Sequence, residues 1–134
     1  MSHLAVNWLA VILATVASMA LGFGWYMALA KPWMAAAGLT KADVDNPNPT
    51  PFIIGAACQL VMAYFVALLT PLLMGEMTVV NAVSTGAHMW IGFVATSMII
   101  NHRYQMKPWS LTLIDGGYLL GVLLLQGVVI GLFA

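Results

Sequence analysis

Few side chains in this sequence could do chemistry, and most of them fall inside long apolar stretches. His88 is a residue that could titrate near neutral pH or ligate a metal. His102 lies fourteen residues later, which at ~100° per residue puts both rings on roughly the same helical face. Such a pair can hold haem when another helix supplies matching histidines. Only His3 remains in the chain, so complete ligation would need a second chain, and no metal or cofactor is expected. A hydrogen-bonded, helix-packing histidine is the preferred reading of His88. Asp115 and Gln126 lie eleven residues, or three turns, apart on one side of the last apolar stretch. A charged aspartate inside a membrane needs a partner, and Lys107, Arg103, Asn101 or a tyrosine are the nearest choices. A salt bridge or a neutral hydrogen-bonded acid is preferred over a proton-carrying or substrate-binding one. Asp43 and Asp45 could be imagined as metal ligands, but their setting reads as solvated turn. No nucleophile–base spacing and no metal motif is present, so no enzyme is expected.

Polar residues at helical spacing form further rows. Asn81, Ser84, Thr85, His88 and Gly92 fall on one face, with Thr96 at its margin. In a membrane such a row must meet other helices or water, either for interhelical hydrogen bonding or to line a path for a proton, ion or small solute. Gln59 shares a face with Gly55 and Thr70, and Asn7, Ser18 and Trp25 share another, with Gly22 close by. Gly116, Gly117, Gly121, Gly127 and Gly131 occupy one broad arc opposite Asp115 and Gln126. Gly117/Gly121 and Gly127/Gly131 have small-xxx-small spacing, which predicts a tight helix contact within the bundle or between subunits.

The elements that position these residues can be read from composition. Of 134 residues, 63% are hydrophobic and 6% charged, against roughly 25% charged in soluble domains. Net charge is zero, which leaves no basic surface for nucleic acid. The lone Cys58 forms no intrachain disulfide and reads as a small buried hydrophobe. Four apolar runs, approximately 6–30, 52–74, 78–100 and 110–133, each have about the 20 residues needed to cross ~30 Å of hydrocarbon. Backbone groups in lipid must be paired within the segment, so these runs are helices. The expected fold is an all-α four-helix membrane bundle forming a single domain. The first run lacks a basic n-region and is longer than a signal-peptide core of about 7–15 residues, so it reads as a retained span.

The loops orient the bundle. Lys31 and Lys41 lie in the first connection, Arg103 and Lys107 in the third, and the other loops and termini carry no basic residue. Basic residues mark cytoplasmic loops, so both termini are expected on the non-cytoplasmic side. Pro32–Gly38 reads as a short interfacial helix with Trp33 at headgroup depth and Gly38 as its stop. Thr40-Lys41-Ala42-Asp43 carries an N-cap signal, and Thr50 with Pro51 reads as the cap and first position of the second span. Pro71 is expected to loosen the last turn of that span. Lys31-Pro32-Trp33 and Lys107-Pro108-Trp109 repeat one triplet, and with Trp25 they read as anchors of membrane depth.

Several segments in fixed order have a familiar form: Asn7-Trp8-Leu9-Ala10-Val11, Gly24-Trp25-Tyr26, and Lys31-Pro32-Trp33 with Gly38-Leu39-Thr40 after it. Trp90-Ile91-Gly92-Phe93 and Pro108-Trp109 leading into Leu113-Ile114-Asp115-Gly116-Gly117-Tyr118 complete the set. Over nearly the whole chain this pattern resembles domain of unknown function family 1761. The resemblance implies a bacterial inner-membrane protein of four helices and brings no activity. It also implies that Asn is usual where Asp115 stands and that no His is required at position 88, which sets both residues apart from a shared family role.

Two functions are weighed on these residues. One is a non-enzymatic protein of the lipid bilayer acting by helix–helix association, as a homo-oligomer or an accessory subunit of a membrane complex. The other is a small oligomeric transporter or channel, with Asp115, His88, Asn81 and Gln126 lining its path.

Overall fold

The computed structural model describes residues 5–45 and 48–134. His3, Asn46 and Pro47 lie outside the described residues. All regular structure among the described residues is helical. Helix α1 spans Trp8–Ala28, α2 Ala30–Ala37, α3 Lys41–Asp45, α4 Thr50–Met74, α5 Val79–Met89, α6 Thr96–Tyr104 and α7 Trp109–Leu132. A π-helical segment, Trp90–Ala95, joins α5 to α6 without a break. Four continuous helices, Trp8–Ala28, Thr50–Met74, Val79–Tyr104 and Trp109–Leu132, are long and apolar enough to cross a membrane. This is a multi-pass membrane protein in contact with the bilayer.

Local chemistry sets the helix ends. Asn7 caps α1 by accepting from the Ala10 amide at 3.2 Å, and its amide donates to the Phe133 carbonyl at 3.0 Å, tying the start of α1 to the end of α7. Gly38 ends α2 in the left-handed region at φ 74°, where a side chain would be strained. Thr40 and Asp43 cap α3 reciprocally. The α4 start differs from the expectation: Pro49 is the cap, Thr50 and Pro51 are already helical, and the Asn48 side chain accepts from the Thr50 amide at 3.1 Å. Proline suits either position because the first helical amides have no intrahelical partner. Pro71 sits inside α4, which continues to Met74. Thr78 caps α5 at the Asn81 amide, 3.0 Å away.

The core is rich in small residues, Ala10, Val11 and Ala14 of α1, Ala63, Val66 and Ala67 of α4 and Ala82 of α5, packed against Leu123 and Ile130 of α7. Lipid tails are as apolar as leucine, so helix pairing here rests on close packing rather than on escape from water. The glycine arc of α7 is used inside the protomer. A Cβ on Gly127 would stand 2.8 Å from the Ala82 carbonyl carbon, and one on Gly131 would stand 2.5 Å from the Val79 Cα. Gly117 and Gly121 instead face Trp25 and Leu21 of α1, at 3.1 Å each. The arc is therefore two seams, one with α5 and one with α1, that make α7 the shared partner. Large side chains such as Ile12, Val16, Ile53, Leu72, Ile91 and Phe93 turn outward, as a lipid-facing surface requires. Cys58 is exposed on this outer surface rather than buried, because the face of α4 toward the core is occupied by Gln59, Ala63, Val66, Ala67 and Thr70.

Candidate functional site

Inside the bundle, α7 presents its polar residues to α1 and α4. Asp115 accepts a hydrogen bond from the Tyr26 hydroxyl at 2.7 Å. Among the alternatives the sequence left open, the partner is thus a tyrosine. The Arg103 and Lys107 side chains are engaged elsewhere. Tyr26 stands edge-on to Trp33 and to Tyr118, with ring centroids 5.4 and 5.2 Å away. The Tyr118 hydroxyl accepts from the Gln59 side-chain amide and donates to the Ser18 carbonyl at 3.3 Å. Gly22 makes that reach possible, since a Cβ there would meet the Tyr118 oxygen at 2.8 Å. Gln126, fully buried, donates to the Gln59 backbone carbonyl at 3.0 Å. The side-chain oxygens of Gln59 and Gln126 are buried without a donor among the described residues. From Asp115 to Gln126 this polar series covers about 16 Å of α7, roughly half the hydrocarbon thickness.

Two indoles grip the α7 backbone around Asp115. Trp25 donates to the Ile114 carbonyl at 3.0 Å and Trp90 to the Gly116 carbonyl at 2.9 Å. Gly117 lets the Trp25 ring lie against the helix, and Gly116 leaves ordinary contact distances to Met98 and Trp90. Trp25 is thereby half-buried inside the bundle, with its ring N–H satisfied by protein.

The row on the third span divides. Thr85 is buried and donates to the Asn81 carbonyl at 3.0 Å, while the Asn81 amide reaches back to the Glu76 carbonyl at 3.1 Å. His88, Gly92 and Thr96 are exposed on the outside of the bundle, with Ser84 half-buried beside them. His88 Nδ1 lies 2.7 Å from the Ser84 carbonyl oxygen. A carbonyl only accepts, so Nδ1 donates this bond, and Nε2 of the exposed ring has no partner among the described residues. Nothing stands within 4 Å of a Cβ built on Gly92, and Thr96 donates to the Gly92 carbonyl at 2.9 Å.

His102 does not share the His88 face. It lies 2.7 Å from Thr112 of α7. The intervening π segment holds an extra residue in its turn, which rotates α6 relative to α5 by about one residue, ~100°. Because Arg103 donates to the Thr112 hydroxyl at 2.9 Å, that hydroxyl is free to donate to His102 Nδ1. The two histidines therefore do not form the paired arrangement that their spacing suggested.

At the basic end, Arg103 also donates to the Lys107 carbonyl at 2.9 Å and lies 3.6 Å over the Trp109 ring. Lys107 donates to the Ala37 carbonyl at the end of α2, at 3.3 Å. Lys31 is exposed and Trp33 half-buried against Tyr26. Asp43, in the loop, has its carboxyl held below the ordinary range, chiefly by the Thr40 backbone amide and next by its hydroxyl.

A family described as "Protein of unknown function (DUF1761)" matches residues 9–131. The chain belongs to this family. Neither a curated protein nor a solved structure matches it.

Sequence reasoning missed three parts of this DUF1761 protein's polar architecture. A tyrosine was among the partners weighed for Asp115, but neither Tyr26 nor Tyr118 was singled out, although Tyr118 lies three residues from Asp115 and so on a neighbouring part of the same helix. Trp90 was invisible as a backbone donor, because no local pattern announces a contact across 26 residues. The π segment has no sequence signature beyond the Gly92 it contains.

Proposed function

We propose that this DUF1761 protein acts in a bacterial inner membrane by lateral association through the open face of its third span, as a homo-oligomer or as a subunit of a larger complex. One observation carries the reading: exposed on the outside of the bundle, His88 has an Nε2 without a partner among the described residues, in a row with Ser84, Gly92 and Thr96. A polar atom facing hydrocarbon without a partner is costly, and a small residue beside it lets another backbone approach. The third span is also the least enclosed, with 11% of its most apolar stretch buried against 28 to 33% in the others. The basic residues of the first and third connections support termini on the non-cytoplasmic side.

Cysteine crosslinking in native membranes tests this. In a Cys58→Ala background, Gly92→Cys should form a defined crosslinked species, and Val16→Cys on the outer face of α1 should not. Native mass spectrometry of the gently extracted protein then tells a second copy from a different subunit. Equal crosslinking at both positions, with a monomer in the mass spectrum, would sink the proposal.

A second reading, transport of a proton, ion or small polar solute, draws on a different observation. Asp115 has a neutral tyrosine as its partner, and the buried Gln59 and Gln126 oxygens lack donors among the described residues. These groups lie within one bundle, so the reading gains the interior series and loses His88, which is exposed, and Asn81, whose side chain turns back to the Glu76 carbonyl at the end of the helix. Proteoliposome flux that is unchanged by Asp115→Asn and Gln126→Leu would remove its support.

A further inference from the structure

Arg103 and Lys107 meet at the seam where the α6–α7 turn packs against the end of α2, and neither has an anion among the described residues. Their partners there are the Lys107 and Ala37 carbonyls, the Thr112 hydroxyl and the Trp109 ring, all neutral. Arg103 Nη1 is buried and has no acceptor among the described residues. Stacking on Trp109 and two bonds from Nη2 hold the guanidinium in one orientation, so little freedom remains to be lost on meeting an anion. The turn that brings the two cations together is itself strained: Met106 sits in the left-handed region at φ 57° without being glycine. Such strain persists where the surrounding structure requires that one turn geometry. Trp109 is 58% exposed beside this seam, at the end of a span, where an indole meets lipid headgroups.

We infer that this seam binds the phosphate of an anionic lipid headgroup, with Lys107 as its direct contact and Arg103 supplying fixed positive charge behind it. Two uncompensated cations at the end of a span attract an anionic headgroup by a factor of roughly five each. A lipid is the expected source of the phosphate because the seam opens beside the exposed Trp109 at the bilayer surface. The site is distinct from the third-span association face proposed above, which runs from Ser84 and His88 of α5 to Gly92 and Thr96.

The test is native mass spectrometry of the full chain released from nanodiscs of equal phosphatidylglycerol and phosphatidylcholine. Phosphatidylglycerol should stay bound in preference to phosphatidylcholine. The preference should fall roughly fivefold in Lys107→Gln and further in Arg103→Gln/Lys107→Gln, while Lys41→Gln in the α3 loop keeps it. Circular dichroism and a single elution peak establish folding, and Lys107→Arg, which keeps the charge, should rescue the preference. Equal retention of the two lipids by the wild-type protein would overturn the inference without any variant. So would displacement of phosphatidylglycerol by excess inorganic phosphate, which would assign the seam to a free anion, or a preference unchanged in Lys107→Gln.

Discussion

Replacing Gly127 by alanine isolates the contact on which the placement of α7 depends. The added Cβ would stand 2.8 Å from the Ala82 carbonyl carbon and the Val83 nitrogen. Ordinary contact begins near 3.4 Å, so α5 and α7 must open by about 0.6 Å. The obstacle is backbone, which cannot swing aside as a side chain would. A gap of 0.5–1 Å forfeits roughly a quarter to a half of each dispersion contact along the seam, and overpacking of this kind costs about 1–3 kcal/mol. Against this, alanine is the better helix former by roughly 0.5–1 kcal/mol. The net expectation is a loss of roughly 1 kcal/mol, within a span of about 0–2.5 kcal/mol. Gly24→Ala is the control, because nothing lies within 4 Å of its Cβ and only the propensity gain applies. Thermal unfolding in mild detergent, monitored by circular dichroism, should rank Gly127→Ala below wild type and Gly24→Ala at or above it. Size-exclusion chromatography separates this from an intersubunit role: a seam inside the protomer lowers the melting point without changing the assembly. Refutation would be a Gly127→Ala protein that melts like wild type, or one that loses only its oligomer.

Other perturbations probe the polar groups. Tyr26→Phe removes the donor to Asp115 and should cost about 1–3 kcal/mol in the same melts, whereas Asp115→Asn keeps an acceptor and should be neutral or stabilising; equal losses in both would argue against the Tyr26–Asp115 pair. Met106→Gly should stabilise by about 0.5–1 kcal/mol, since a left-handed non-glycine costs roughly 1–2 kcal/mol and glycine gives back part of that in chain entropy; a lower melting point refutes the strain argument. Asp43 titrates below the ordinary carboxylate range because Thr40 donates to its charged form. Its lowered folded value means that the α3 cap is fully formed above the ordinary range and is lost as pH falls through the lowered value. NMR titration of the Asp43 side chain checks this, and a midpoint at or above the ordinary range would refute it.

The four spans were legible because their signal is compositional and long: about 20 apolar residues in succession admit few other structures. Gly38 as the stop of α2 and the Thr40–Asp43 cap were legible for a local reason, since each depends on residues within a few positions. The glycine arc was legible as a close contact but not as two seams, because the arc alone does not say which helices lie on either side of α7. The tyrosine and glutamine contacts were illegible. They join α1, α4 and α7 across 59 to 100 residues, and nothing in the chain fixes which polar residues face one another until the helices are arranged. Cys58 was misplaced by the same gap, since every face of an apolar helix looks buried until its neighbours are known.

The third span shows how one local irregularity divides the functional readings. With an unbroken 3.6-residue period, His88 and His102 would line up and Thr96 would only edge the His88 row. The π segment turns the second half of the span, so His102 and Arg103 reach Thr112 of α7 while Gly92 and Thr96 stay exposed with His88. The same helix thus turns its basic end toward α7 and leaves its middle open to a neighbour. If that rotation creates the association face, then restoring a regular helix should harm assembly more than any single side chain does. Deleting Val94, one residue of the π segment, would remove the extra residue and turn the His88 row by about 100° relative to α6. Crosslinking through Gly92→Cys should then be lost while the four spans persist in circular dichroism. Retained crosslinking in the deletion variant would show that the π segment does not set the face.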